Sequence, residues 1–217
     1  MSCSARQQSF QKAISQAREA KMDEVNPVKS GVPFYSIKTL DPNWEEFGKT
    51  PIVRIPELTL VGQDGKTRSE SLFNGKITFV AFFFTSCAGF CPVFLKHLQE
   101  VENRLKAVQG IQYVAISVDP ETDQPDRLRK YFKKMNFNSK TWTLLTGNRE
   151  LIYTLARETF ASEAFRLPKS STQIAHSEHF YVIDPKRRLR GTLKGTRLDV
   201  AEGAHQLISE LMTDLGS

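Results

Sequence analysis

No stretch of this sequence approaches the ~18–20 consecutive apolar residues that span a bilayer, which excludes a transmembrane helix within it. No leader pattern opens the chain either, because Met1-Ser2-Cys3 runs straight into polar residues. Taken literally, this describes a soluble cytosolic chain; a secreted or anchored protein whose leader had been trimmed would read the same way. There is no internal repeat and no low-complexity tract. Cysteine is scarce, with three in 217 residues. Cys87 and Cys91 form a local pair. Cys3 stands alone at the terminus and reads either as an inert residue of a tail or as the lipidated first residue of a mature lipoprotein. Histidine is almost as scarce, with four, so few residues can supply an imidazole.

What is present is ordinary for a globular protein. Hydrophobic residues make up 40% and charged residues 25%, and the length suits one long domain or a domain with an extension. The net charge of +6 admits a nucleic acid, an anionic membrane surface or an acidic protein as partner, and says nothing about fold.

Residues 4–24 read as a thin amphipathic helix with Phe10, Ile14 and Ala17 on one face. Residues 26–56 carry five prolines and read as an extended connector. Phe34, Tyr35, Trp44 and Phe47 within it predict that it lies against the domain. These features divide the chain into an N-terminal helix and proline-rich connector, 1–52, and a folded domain, 53–217. In the domain, 56–72 predicts a hairpin turning at Gln63-Asp64-Gly65-Lys66. Residues 77–84 form a near-continuous apolar strand, buried on both faces. Pro92 opens a helix with Phe94, Leu98, Val101, Leu105 and Val108 on one stripe. A second buried strand spans 111–118, a helix begins at Pro125, a strand spans 142–146, and Asn148 caps a helix running to about Phe160. A polar loop, 161–175, precedes strands at 180–183 and 189–194 and a last helix from Val200. The order is hairpin, β, α, β, α, β, α, β, β, α. It predicts an α/β domain of thioredoxin-like pattern, a mixed sheet flanked by helices, with the hairpin and a helical extension N-terminal to it.

In open α/β sheets reactive groups collect beyond the carboxyl ends of the strands. Cys87, Cys91 and Asp119 all follow strands there. Cys91 falls at a helix N-terminus, where unpaired N–H groups and the helix dipole favour its thiolate. Two such thiols can cycle between dithiol and disulfide, bind a soft metal, or be structural. The gap between them, Ala88-Gly89-Phe90, is one residue longer than in thioredoxin-type redox enzymes. Two thiolates underfill most metals; soft thiolates favour Cu(I), and an added imidazole admits Cu(II). His97 and His205 lie within helices and read as packing or surface residues. His176 and His179 lie at or near the loop before the penultimate strand, and spacing does not choose between them.

FFFTSCAGFCP, SVDPETD and AHSEHFYVIDP, in that order, resemble the three signatures of the Sco/SenC family over about residues 54–215. The resemblance implies a thioredoxin-fold copper protein that acts in assembling the copper centre of cytochrome c oxidase. It implies copper ligation by Cys87, Cys91 and His176, with Asp119 as a nearby acidic modulator. It gives His179 no role. Its implied partners are the copper-binding oxidase subunit and a thiol reductant protein. Its implied location is an oxidising compartment, such as the periplasmic side of a bacterial inner membrane, reached through a membrane tether. Two features depart from the pattern: Ala88 stands where many members have proline, and residues 1–50 have no counterpart.

Other chemistries fit less of the chain. A thiol–disulfide reductase would use Cys87 and Cys91 as its catalytic pair and leave His176 dispensable; the resemblance points to a metallochaperone before an enzyme. A thiol peroxidase, suggested by Thr85-Ser86-Cys87, leaves His176 and Asp119 without work. The basic cluster Lys186, Arg187, Arg188, Arg190, Lys194 and Arg197 suggests nucleic acid, but no stacking aromatics interleave it and a solvated edge explains it better. No nucleic acid is therefore expected as a partner.

Overall fold

The computed structural model describes residues 32–35, 42–43, 52–87, 89–162, 165–166, 174–175 and 177–216. The expected N-terminal helix, Cys3, Trp44, Phe47, Ala88 and His176 lie outside the described residues. Strands β1 (Phe34–Tyr35) and β2 (Pro42–Asn43) pair antiparallel in the connector. The hairpin follows as β3 (Thr59–Gly62) and β4 (Thr67–Ser69). Its turn requires Gly65, whose φ is +78°, and the Asp64 carboxylate accepts the Lys66 N–H at 3.1 Å. The expected strand to Leu72 ends at Ser69, because Ser69 caps a single 3₁₀ turn, Glu70–Phe73.

The remaining elements alternate. They are β5 (Ile77–Phe83), α1 (Phe90–Leu105), β6 (Ile111–Ser117), α2 (Pro125–Lys134), β7 (Trp142–Thr146) and α3 (Arg149–Thr154), which continues as a π-helical turn, Leu155–Thr159. Asn148 caps α3 by accepting the Leu151 N–H at 3.0 Å. The stretch expected as plain loop holds a small antiparallel pair, β8 (Phe165–Arg166) with β9 (Ile174–Ala175). Then come β10 (His179–Ile183), β11 (Leu189–Lys194) and α4 (Val200–Gly216).

Seven strands form one mixed sheet in the order β11-β10-β5-β6-β7-β3-β4. Strands β5, β6 and β7 are parallel and the outer pairings antiparallel. Every residue of β5 is buried, as expected for a strand covered on both faces. Successive crossovers from β5 to β6 to β7 travel the same way, so α1 and α2 lie on one face. There Phe83 meets Tyr131 of α2 at 5.6 Å between ring centroids, and Phe180 of β10 meets Phe94 of α1 at 4.4 Å. On the other face Phe82 packs against Phe160 and Tyr181.

At residues 32–35 the connector meets the domain, as its aromatics predict. Val32 and Phe34 are buried, and the Arg190 guanidinium lies 3.8 Å from the Phe34 ring centroid. Arg190 also donates to the Val32 carbonyl at 3.0 Å and to Asp214 at 2.5 Å. Arg188 pairs with the fully buried Asp184 at 2.6 Å. The basic cluster is therefore not a single solvated edge. Arg188 and Arg190 turn inward to buried carboxylates, while Arg197 pairs with Asp199 on the surface.

Candidate metal and redox site

The site begins where β5 ends. Thr85 follows the last strand residues, and the Cys87 N–H donates to the Phe84 carbonyl at 3.4 Å. This turn places Cys87 in front of α1. That helix starts at Phe90, two residues before Pro92, which occupies its third position. Its N-cap, Gly89, offers no side-chain acceptor. The Cys87 sulfur fills the gap by accepting the Cys91 N–H at 3.3 Å. Pro92 has no N–H to satisfy.

Cys87 and Cys91 are thiols rather than a disulfide, Cys87 partly exposed and Cys91 fully buried. Their acidities run opposite to the expectation that the helix terminus favours Cys91. Burial works to raise the Cys87 thiol, but hydrogen bonds from Cys91, Gly89 and Phe90 outweigh it and hold the thiol below its usual range. Cys91 is pushed well above that range, chiefly by its burial and further by the neighbouring Cys87 sulfur. The reason is directional. The N–H groups of the first helical turn point back at Cys87, whereas the Cys91 side chain points into the core.

Asp119 lies just beyond β6 and is buried. Its N–H donates to the Ser117 hydroxyl at 3.1 Å, and its carbonyl accepts the Asp123 N–H at 2.8 Å. A second carboxylate, to which the sequence reading gave no role, bonds directly to the residue that leads into the thiol loop. Asp123 is fully buried. Its carboxylate accepts from the Thr85 N–H at 2.9 Å, from the Ser117 hydroxyl at 2.6 Å and from the Thr85 hydroxyl. Arg127 donates to the Thr85 hydroxyl oxygen at 2.7 Å and lies 3.5 Å from the carboxylate. The Asp123 charge also weighs on Cys91 and on Tyr131, whose buried hydroxyl has no hydrogen-bond partner among the described residues. Only residue type could have signalled Asp123, since it lies 38 positions from Thr85.

The histidines divide. His97 bonds the Gly195 carbonyl at 2.7 Å, which is packing, as expected. His179 is exposed, with its Nδ1 3.1 Å from the Ser177 hydroxyl. Ser177, the residue after His176, is tied to β10 by the Tyr181 hydroxyl, which donates to its Oγ at 2.9 Å. Strand β10 runs antiparallel beside β5, with Tyr181 opposite Val80. Its first residues therefore lie at the end of the sheet where the thiol loop begins. Among the described residues no third Cys, His, Asp or Glu joins the two thiols in a metal-sized cluster, and no helix is long and apolar enough to cross a membrane.

The SCO1/SenC family profile matches residues 52–212. The chain belongs to the SCO1/SenC family. It is 30% identical over 137 residues to the SCO1 protein homolog of Bacillus subtilis (strain 168), covering 60% of this chain and 68% of that one. Among solved structures it resembles a SCO1/SenC family lipoprotein from Bacillus anthracis str. Ames, with TM-score 0.65 and 25% identity over 72% of this chain and 95% of that one. BsSco, a member of the Sco family of cytochrome c oxidase assembly proteins with a disulfide switch, gives TM-score 0.63 and 25% identity over 73% and 93%. Arabidopsis thaliana ScoI with copper bound gives TM-score 0.63 and 24% identity over 72% and 97%. The shared fold is the thioredoxin-like mixed sheet of the SCO1/SenC proteins, as the element order predicts.

Proposed function

We propose that this chain binds one copper ion through the Cys87 and Cys91 thiolates and the His176 imidazole, and delivers it to the copper-binding subunit of cytochrome c oxidase. The observation that carries the reading is the dithiol pair at the start of α1, with the Cys87 sulfur held toward its thiolate by helix N–H groups. Two thiolates and an imidazole are a soft donor set that accepts Cu(I) and, through the imidazole, Cu(II). The nearby structures agree with this chemistry: ScoI of the same fold carries copper, and BsSco belongs to a family of oxidase assembly proteins.

Asp119 modulates the pair from the end of β6. Residues 1–52 space the domain, 53–217, from a membrane tether, as the lipoprotein relative suggests, and the thiols face an oxidising compartment such as the periplasm. A thiol reductant protein keeps the pair reduced before loading, because only the dithiol can take the ion.

Metal titration tests this. Reduced protein titrated with Cu(II) is expected to gain a thiolate-to-copper absorption band that saturates at one equivalent. The band disappears in Cys87→Ser and Cys91→Ser and shifts in His176→Ala. A wild-type protein without the band sinks the copper role; an unchanged band in His176→Ala removes the histidine from the ligand set.

The opposite acidities of the two thiols favour a second reading, a thiol–disulfide reductase. Cys87 is the accessible nucleophile and Cys91 the buried resolving thiol. In that case the target disulfide gains two electrons and two protons as the Cys87–Cys91 disulfide forms. Reduction of an oxidised target peptide then persists in His176→Ala.

A further inference from the structure

The Asp123 carboxylate is a charge with no exposure, and burying a charge is costly unless it is fully engaged. None of its hydrogen bonds reaches a cysteine. They converge instead on Thr85, two residues before Cys87, and on Ser117 at the end of the adjacent strand β6. Thr85 is gripped three times: its N–H and hydroxyl both donate to Asp123, and its hydroxyl oxygen accepts from Arg127. Asp123 and Arg127 bracket the start of α2. The grip therefore ties the end of β5, the end of β6 and the N-terminus of α2 into one fixed point.

We infer that Asp123 is the positioning residue of the thiol loop. Its carboxylate sets where the chain leaves β5, and so keeps the Cys87 sulfur in front of the Cys91 N–H. This rests on the reading of Cys87 and Cys91 as the working pair. The ionised carboxylate is needed because both its oxygens accept: one takes the Thr85 N–H and the Ser117 hydroxyl, the other the Thr85 hydroxyl with Arg127 beside it, and an asparagine that kept the first pair would turn its own N–H groups toward the Thr85 hydroxyl and the Arg127 guanidinium. Thr85 is the side chain through which Asp123 acts, and Arg127 closes the arrangement from the solvent side, where it is 48% exposed.

The test compares reduced wild type, Asp123→Asn, Thr85→Ala and the double variant, by amide hydrogen exchange and by copper titration. Loss of a charge-assisted hydrogen bond predicts about tenfold faster exchange of the Cys91 amide in Asp123→Asn, and about tenfold weaker copper binding. Amides within β5 keep their wild-type rates, which a purely global loss of stability would not permit. Thr85→Ala gives a smaller change of the same sign. The double variant matches Asp123→Asn, because both substitutions break one linkage. An Asp123→Asn protein with a wild-type Cys91 exchange rate and copper affinity overturns the inference, as do additive effects in the double variant. If Asp123→Asn does not fold, Thr85→Ala decides alone: unchanged Cys91 exchange overturns the inference and faster exchange upholds it. Wild type that takes up no copper defeats the copper reading, while the exchange measurement still decides the role of Asp123.

Discussion

Four positions separate Cys87 from Cys91, yet they differ in exposure and in acidity in opposite senses. The first turn of a helix sends its N–H groups backward and its buried side chains inward, so the sulfur ahead of the helix gains the donors. Iodoacetamide at about pH 7.5 is expected to modify Cys87 more than ~10-fold faster than Cys91. Mass spectrometry of partly labelled protein checks this, and equal rates would contradict the geometry. The same asymmetry fixes a sign for stability. The Cys87 value is depressed in the folded state, so between that value and the ordinary thiol range the native protein holds a thiolate and the unfolded chain a thiol. Stability therefore rises with pH across that window and is lost as pH falls through the folded value. Cys91 acts oppositely, because its contribution is complete below the ordinary thiol range and declines as pH climbs above it. Cys87→Ala should abolish the rise, as seen by denaturant unfolding in reductant at stepped pH. Residue identity was readable from the sequence here, but the order of acidity was not. It depends on which way a side chain points within one helical turn.

Helix α1 is held against β10 by aromatic stacking with no spare room. A Cβ placed on Gly195 would lie 2.6 Å from the Phe180 ring and closer still to Phe94. Gly195→Ala is therefore expected to cost ~1–3 kcal/mol, read from the urea midpoint, through overpacking beneath the first turns of α1. Strands β7 and β11 match their expected bounds because apolar runs and flanking turns are local signals. The start of α1 differs by two residues because Pro92 is tolerated anywhere in the first turn, so it marked the neighbourhood and not the first residue. The π-helical turn after α3 and the β8–β9 pair gave no periodic signal. The Asp123–Thr85 contact was equally invisible, since hydrogen bonds between distant segments leave no spacing to read.

At the scale of the whole molecule, Arg190 fastens three distant parts of the chain. It reaches the connector at Val32 and Phe34, the last helix at Asp214, and the buried Asp184 at 3.6 Å. Arg190→Ala leaves those carboxylates without their shared cation and is expected to lower stability by ~3–5 kcal/mol, measured by chemical denaturation. Because the pair is buried, added salt should rescue little of the loss. The fold class was legible at this scale from element order alone. The attachment of the connector was legible in part, through the aromatics among its prolines.

Strand β10 inserts between β5 and β11 although it follows β5 by roughly ninety residues. During synthesis, Cys87 and Cys91 therefore emerge long before the strand that pairs beside β5. Until β10 docks, β5 lacks its antiparallel neighbour and Phe94 of α1 lacks the Phe180 ring, so the helix that carries Cys91 is not yet fully seated. Oxidation of the two thiols is therefore expected to be fastest on the newborn chain, before its fold is complete.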